Sequence, residues 1–247
     1  MAYQATFKRH EVKYIMNPQQ KQAVLDVMQR YMRLDDYGRT TIRSLYFDTD
    51  SWELIRHSIE KPVYREKLRV RSYKTAEPDD PVFVELKKKY KKVVYKRRVS
   101  LPERQVCECF SRGLPLPVNS QIGNEIEYFR SFYGNLHPAV FLSYEREAFY
   151  ALDGSDFRVT FDENILYRDY DLTLRKEAYG TPLLERGQTL MEIKTAGGMP
   201  LWMCHELTRL RLFRERFSKY GLAYMTIMAD EEMCEEKNEN RRILNVS

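Results

Sequence analysis

An α+β protein, a closed eight-stranded antiparallel β barrel with helices packed outside, is the fold this sequence predicts. Three observations predict it. Strand-patterned segments occur eight times along the chain; most carry ionisable residues on one face and apolar residues on the other; and the helical segments offer single apolar stripes. Eight strands are enough for an antiparallel sheet to close. At 247 residues the barrel and its helical additions are read as one domain over 1–230, followed by a polar tail at 231–247.

The first strand is expected over 5–14, where Phe7, Arg9, Glu11 and Lys13 alternate with Lys8, His10 and Val12. Asn17 then supplies an N-cap and Pro18 the first helical position, and Ala23, Val24, Val27, Met28 and Tyr31 recur at helical spacing, so a helix is expected to about Arg33. A strand at 41–48 and a short helix at 51–57 follow. Residues 65–98 hold two strands and the start of a third. Lys67, Arg69 and Arg71 share one face against Leu68 and Val70, and Glu85 and Lys87 oppose Val84 and Leu86. After the turn at 77–81 and a hairpin tip assigned to Lys88, Lys89, Lys91 and Lys92, the third strand (93–100) sets Lys96 and Arg98 opposite Tyr95 and Arg97.

A brief helix is expected at 102–110, and Ser120 caps another whose Ile122, Ile126, Phe129 and Tyr133 form a stripe. Strands at 139–150 and 157–162 flank the turn signal Asp153-Gly154, with Tyr144 and Arg146 on one face of the first and Arg158, Thr160 and Asp162 on one face of the second. The last strand, 188–195, carries Leu190, Glu192 and Lys194 together. Pro200 opens a helix with Met203, Leu207, Leu210, Phe213 and Phe217 as its stripe, and residues 218–221 interrupt it before a final helix from about Leu222.

Charge is distributed unevenly. Residues 65–98 hold 13 Lys and Arg against 5 Asp and Glu, so this segment exceeds the net +5 of the whole chain. A single charged strand face is ordinarily a solvated one. Repetition around a closed sheet, with helices available for the apolar faces, puts the charges inside. Cations confined in that way repel and lose hydration unless an anion of several charges joins them. Arg and Lys suit phosphoryl oxygens, and carboxylates among them suit a divalent metal on the same phosphates.

Nucleic acid is the competing polyanion. It is set aside because the chain has no zinc spacing, helix-turn-helix or aromatic RNA-binding motif, and its pI of about 8.9 is only mildly basic. The four histidines show no ligand spacing, and Cys107, Cys109, Cys204 and Cys234 read as reduced and structural. No stretch approaches the roughly 20 apolar residues that span a bilayer, and the first ten residues lack the apolar core of a signal peptide. A soluble, cytoplasmic protein is expected.

Nine short motifs occur in order: RHEVKY at 9–14, SLYFD at 44–48, KLRVR at 67–71, VELK at 84–87, KRR at 96–98, YER at 144–146, RVTFD at 158–162, MEIK at 191–194 and FSKY at 217–220. In these the chain resembles the catalytic domain of the vacuolar transporter chaperone (VTC) polyphosphate polymerases, of the triphosphate tunnel metalloenzyme superfamily. The resemblance implies an eight-stranded tunnel that binds ATP by its phosphates with Mn²⁺ or Mg²⁺. It implies transfer of the γ-phosphoryl group to a growing inorganic polyphosphate chain, which leaves through the tunnel. Carried over by motif, Lys13, Arg69, Arg71, Lys87, Arg146, Arg158 and Lys194 act on the reacting phosphates. Lys96, Tyr144, Ser218 and Lys219 bind substrate, and Glu192 is the metal ligand.

Two departures from the resemblance matter. The first strand of the wider superfamily often reads Glu-x-Glu-x-Lys, whereas Arg9 replaces the first carboxylate here, which favours a polymerase over a triphosphatase or polyphosphatase. Eukaryotic relatives join this domain to an SPX domain and membrane helices that this sequence does not contain, which leaves a membrane-protein partner open. A polyphosphate- or nucleotide-binding module without turnover is the reading from another class.

Overall fold

Alternation of charged and apolar residues produces one large antiparallel sheet. The computed structural model describes residues 6–7, 10–91 and 93–244, with side chains between 10 and 234. The strands are β1 (Thr6–Phe7), β2 (His10–Met16), β3 (Met32–Leu34), β4 (Thr40–Asp48), β5 (Tyr64–Ser72), β6 (Pro81–Tyr90), β7 (Val93–Pro102), β8 (His137–Ala151), β9 (Arg158–Arg168), β10 (Thr181–Pro182) and β11 (Thr189–Thr195). The helices are α1 (Pro18–Met28), α2 (Glu53–Glu60), α3 (Glu103–Ser111), α4 (Gln121–Tyr133), α5 (Leu201–Arg209) and α6 (Lys219–Leu244). The hydrogen-bonded order is β1-β7-β6-β5-β4-β8-β9-β11-β2, with β3 added to β8 and β10 to β9.

The eight long strands are those read from the sequence, but the sheet is not closed and three short strands join it. The expected first strand is divided. Its beginning, β1, pairs with β7, while β2 stays in register with β11 from His10↔Thr195 to Met16↔Thr189. The two ends of the strand order therefore fall on neighbouring pieces of one segment, and among the described residues no ladder joins β2 to β7. The connection before α6 takes part of the free edge instead: Glu215 N–H donates to Lys13 O at 2.8 Å.

Apolar strand faces meet helices on the convex side. Leu68, Val70, Val84, Leu86 and Val99 pack with Val106 of α3 and Ile126 and Phe129 of α4. Val159, Phe161, Met191 and Ile193 pack with Val24 and Met28 of α1 and Met203 and Leu207 of α5. Each fully enclosed aliphatic chain here, such as Leu68 or Leu86, contributes roughly 1.5–3 kcal/mol by leaving water.

A third cluster lies on the concave side, and there the expectation that all helices pack outside fails. Ile42 shares a strand face with Ser44 and Tyr46, and Leu190 shares one with Glu192; these residues, with Val140, Leu142 and Ile165, are covered by Tyr220, Ala223 and Ile227 of α6. One end of the concave face is thus apolar and capped by α6, and the charged residues occupy the remainder. Asp48, at the end of β4, fixes this cap: its carboxylate accepts from Leu54 N–H (2.8 Å), Ile55 N–H (3.0 Å) and the Tyr220 hydroxyl (2.7 Å). It supplies the N-terminal cap that Trp52, in the left-handed region at φ 57°, does not give α2.

Several boundaries differ from expectation. α1 carries the expected Asn17 cap but ends at Met28, because residues 32–34 pair with β8. α5 stops at Arg209, where Arg211 turns left-handed at φ 52°, so Phe213 leaves the expected stripe and stands 76% exposed. α6 starts at Lys219, inside the expected interruption at 218–221, and runs to Leu244, so the polar segment from 231 is helical through Leu244. Lys88 and Lys89 lie in β6, leaving Lys91, at φ 53°, in the turn; Lys92 and Arg9 lie outside the described residues. No described helix is long and apolar enough to cross a membrane.

Candidate active site

Strand alternation delivers side chains from all eight long strands and from the first turn of α6 to the charged part of the concave face. Two centres organise them. On β6, Glu85 is 1% exposed and meets Arg69 Nη2 at 2.7 Å, Lys96 Nζ at 2.6 Å, and Arg71 and Arg98 at 3.9 Å. On β11, Glu192 meets Lys13 and Lys194 at 3.1 Å, Lys219 at 3.3 Å and Arg146 at 3.5 Å. Beside it, the fully enclosed Asp162 takes a two-pronged contact from Arg146, at 2.5 and 2.6 Å, and one from Lys219 at 2.5 Å.

Hydroxyls complete the wall. Arg69 donates to Tyr46 at 2.9 Å, and Arg71 donates to Ser44 and to Tyr144, each at 3.2 Å. Lys67 Nζ lies 3.4 Å from Ser218 Oγ. Glu11 on β2 lies 3.4 Å from Lys13 and within the field of Lys87 on β6, so these distant strands face each other across the curl of the sheet.

The ionisation states follow from this crowding. Burial alone would raise the Glu85 carboxyl, but Arg69, Arg71 and Lys96 outweigh it and hold the group well below the usual range. For Glu192, burial is likewise outweighed, by Lys219, Lys13, Lys194 and Arg146. Burial and Glu192 push Glu11 up, yet Lys87, Lys194 and Lys13 prevail and hold it at about 2. Cations without enough carboxylate move the other way. Burial brings Lys67 down to about 8, and its neighbours Lys87, Lys13 and Arg65 add to the effect. Lys96 falls to about 8 by burial despite Glu85. Tyr46, which burial would raise, is brought down to about 7 by Arg69, Arg71 and Lys67.

Of the residues named from sequence, Lys13, Arg69, Arg71, Lys87, Lys96, Tyr144, Arg146, Glu192, Lys194 and Lys219 share this face. Arg158 shares its strand face with Asp162 and pairs in register with Lys194, but it is exposed at the rim and makes no ion pair among the described residues. Ser218 is exposed at the start of α6, where its Oγ accepts from Gly221 N–H at 3.2 Å. Glu85, Asp162, Lys67, Arg98, Tyr46 and Thr160 received no role from the sequence. For five of them the signal is present in the alternation, since each shares a strand face with a residue named from sequence; Tyr46 stands on β4, where the sequence names none. Thr160 Oγ1 is buried on this face without a hydrogen-bond partner among the described residues.

Among the described residues no group of three or more His, Cys, Asp or Glu is arranged to hold a metal ion unaided. Glu192 offers one anionic oxygen donor already surrounded by cations. That donor set fits Mn²⁺ or Mg²⁺ carried on a phosphate ligand, since such ions commonly take one or two carboxylates and complete their shell with substrate oxygens and water.

A curled antiparallel sheet whose concave face gathers cations around a few carboxylates is a triphosphate-tunnel fold. Solved structures share it. The chain is similar to a candidate adenylate cyclase of Bacillus halodurans (11% identity, 87% of this chain and 96% of that chain, TM-score 0.54). It is also similar to HpAC1 of Hippeastrum, a candidate adenylyl cyclase described as having a dominant triphosphatase activity (15% identity, 86% of this chain and 93% of that chain, TM-score 0.53). No curated protein matches the chain. The VTC domain family model matches residues 8–228, and the chain belongs to that family.

Proposed function

We propose that this protein is a metal-dependent polyphosphate polymerase that transfers the γ-phosphoryl group of ATP to a growing inorganic polyphosphate chain. The observation that carries the reading is the convergence of Lys13, Arg69, Arg71, Lys96, Arg146, Lys194 and Lys219 on one concave surface. Four carboxylates there, Glu11, Glu85, Asp162 and Glu192, cannot balance them, and a chain of phosphates can.

Phosphoryl transfer asks little covalent chemistry of a protein; it asks for alignment and for positive charge around the transferring group. Arg69, Arg71, Lys87 and Arg146 line the sheet and hold the triphosphate, with Lys13 and Lys194 beside Glu192. Lys96, Tyr144 and Lys219 add phosphate contacts, and Arg158 and Ser218 act at the rim. When bound, the divalent ion neutralises phosphate charge, and Glu192 is the residue that holds it. The acceptor end of polyphosphate is already an anion, so no strong general base is needed. The substrate pool in this reading is cytoplasmic ATP; nucleic acid is not a partner, and a membrane protein that receives the product stays open.

Hydrolysis of triphosphate is the second reading. It rests on Glu11, the most accessible of the four carboxylates, as a group able to orient water. Incubating the pure protein with ATP and Mn²⁺ separates the two. ADP together with polyphosphate supports the polymerase, orthophosphate without chains supports the hydrolase, and no consumption of ATP overturns both. Glu192→Ala should abolish turnover and leave much of the phosphate binding, since the cations remain.

A further inference from the structure

Glu85 stands on β6, the middle strand of three, with β5 on one side and β7 on the other. Its register partners are Arg69 on β5 and Arg98 on β7, and its diagonal neighbours on the same face are Arg71 and Lys96. Each carboxylate oxygen faces a cation. Oε2 accepts from Nε of Arg69 at 2.8 Å and lies 2.7 Å from Nη2, while Oε1 lies 2.6 Å from Lys96 Nζ. At 1% exposure the carboxylate is covered by the cations it holds, so a ligand entering the concave face meets those cations and not Glu85.

Resting on the phosphate-binding reading above, we infer that Glu85 is a positioning residue whose buried carboxylate gathers Arg69, Arg71 and Lys96 from the two flanking strands into one phosphate cradle. Without it, four cations on adjacent strands repel at short range, and the lysine, which can discharge, loses its proton first. The groups facing Lys96 are Glu85 and Lys87 from β6, Arg69 and Arg71 from β5, and Arg98 on its own strand. Glu85 alone among them favours its charged form.

The inference makes a counterintuitive demand. Removing a negative charge from a site for polyanions should tighten binding by simple charge arithmetic, whereas loss of positioning should weaken it. The test is calorimetric titration of the full chain with tripolyphosphate between pH 6 and 9, comparing wild type with Glu85→Gln; the ratio of affinities at each pH cancels the ligand's own titration. The expected result is a deficit of roughly tenfold at pH 8 that narrows to about threefold or less at pH 6, where Lys96 keeps its proton in both proteins. In the Lys96→Met background the same substitution should give a deficit that no longer varies with pH.

Equal or tighter binding by Glu85→Gln at pH 8 overturns the inference, and so does a deficit constant with pH, which marks a packing role only. If Glu85→Gln does not fold, Lys96→Met reads the pairing from the other side: the ratio of wild-type to Lys96→Met affinity should fall as pH rises through about 8, and a flat ratio overturns the inference. A wild-type protein that does not bind tripolyphosphate sinks the functional reading itself and this inference with it. Binding by wild type that Glu85→Gln leaves intact sinks the inference alone.

Discussion

The ammonium of Lys219 sits 2.5 Å from Asp162 Oδ2, and by this contact the first turn of α6 is tied to the wall of the sheet. Lys219 also lies over the Tyr144 ring, 4.5 Å from its centroid, so the helix that caps the apolar end of the concave face also contributes a cation to the charged part. Cap and site are therefore mechanically one unit.

Asp162 is enclosed completely and serves both Arg146 and Lys219. Asp162→Ala removes the nearer carboxylate from two buried cations and leaves them only the longer contacts to Glu192, and the expected cost is about 3–5 kcal/mol in denaturant unfolding. The pH dependence has a definite sign. Burial raises the carboxyl, Arg146 and Lys219 outweigh it, and the folded pKa lies below the ordinary 3.8. Its stabilisation is thus fully present above about pH 4 and is lost as pH falls through the folded value. Asp162→Asn should unfold with a flatter acid limb than wild type; identical acid limbs would refute the assignment.

Glu192 is held by four cations, so a free divalent ion would have to displace them to reach it. Triphosphate oxygens can take over those cations and bring further ligands for the ion. Calorimetry with MnCl₂ alone should therefore show binding weaker than about 1 mM, and with saturating tripolyphosphate it should tighten at least tenfold, a coupling of about 1.4 kcal/mol or more. Equal Mn²⁺ affinity with and without the polyanion would contradict this.

Tyr220 donates to Asp48 at 2.7 Å and stacks on Tyr46 with ring centroids 4.5 Å apart. Tyr220→Phe keeps the stack and removes one partner from a buried carboxylate, at an expected cost of about 1–3 kcal/mol in unfolding free energy. Because Lys219 is the adjacent residue, tripolyphosphate affinity should fall several-fold as well. A loss of stability with unchanged affinity would show that the cap and the site are separable.

What the sequence made legible was periodicity. Arg69 and Arg71 against Leu68 and Val70, and Glu192 and Lys194 against Ile193, already separate the two faces of the sheet, because strand geometry allows no other division. Periodicity says nothing of how far along a face water reaches. Ile42 and Glu192 both point inward, yet one lies under α6 and the other among cations, a difference set by where a distant helix docks. The open sheet was hidden for a similar reason, since the division of the first strand between β7 and β11 depends on partners far along the chain. Glu85 and Asp162 were visible as carboxylates on the right faces. Their hold on Arg69, Lys96, Arg146 and Lys219 is a property of cross-strand register, which composition does not encode.

Register also separates two arginines that motif reading treated alike. Arg146 is mostly buried and locked by two contacts to Asp162; Arg158, four residues before that aspartate on the same strand face, is exposed and free of ion pairs among the described residues. An exposed charge acts through screened solvent and contributes up to about 1 kcal/mol, so Arg158→Ala should weaken tripolyphosphate binding about fivefold or less. That deficit should shrink further in 0.5 M salt, where the screening length falls to about 4 Å. Arg146→Ala removes a mostly buried cation from the concave face and leaves Asp162 with Lys219 as its remaining cation. It should weaken binding by about 100-fold or more, with a deficit that persists in salt, and lower the unfolding free energy, whereas Arg158→Ala should leave that free energy within about 0.5 kcal/mol of wild type. Titrations of both variants at two salt concentrations decide the matter: comparable, salt-insensitive losses would place Arg158 inside the site and not at its rim.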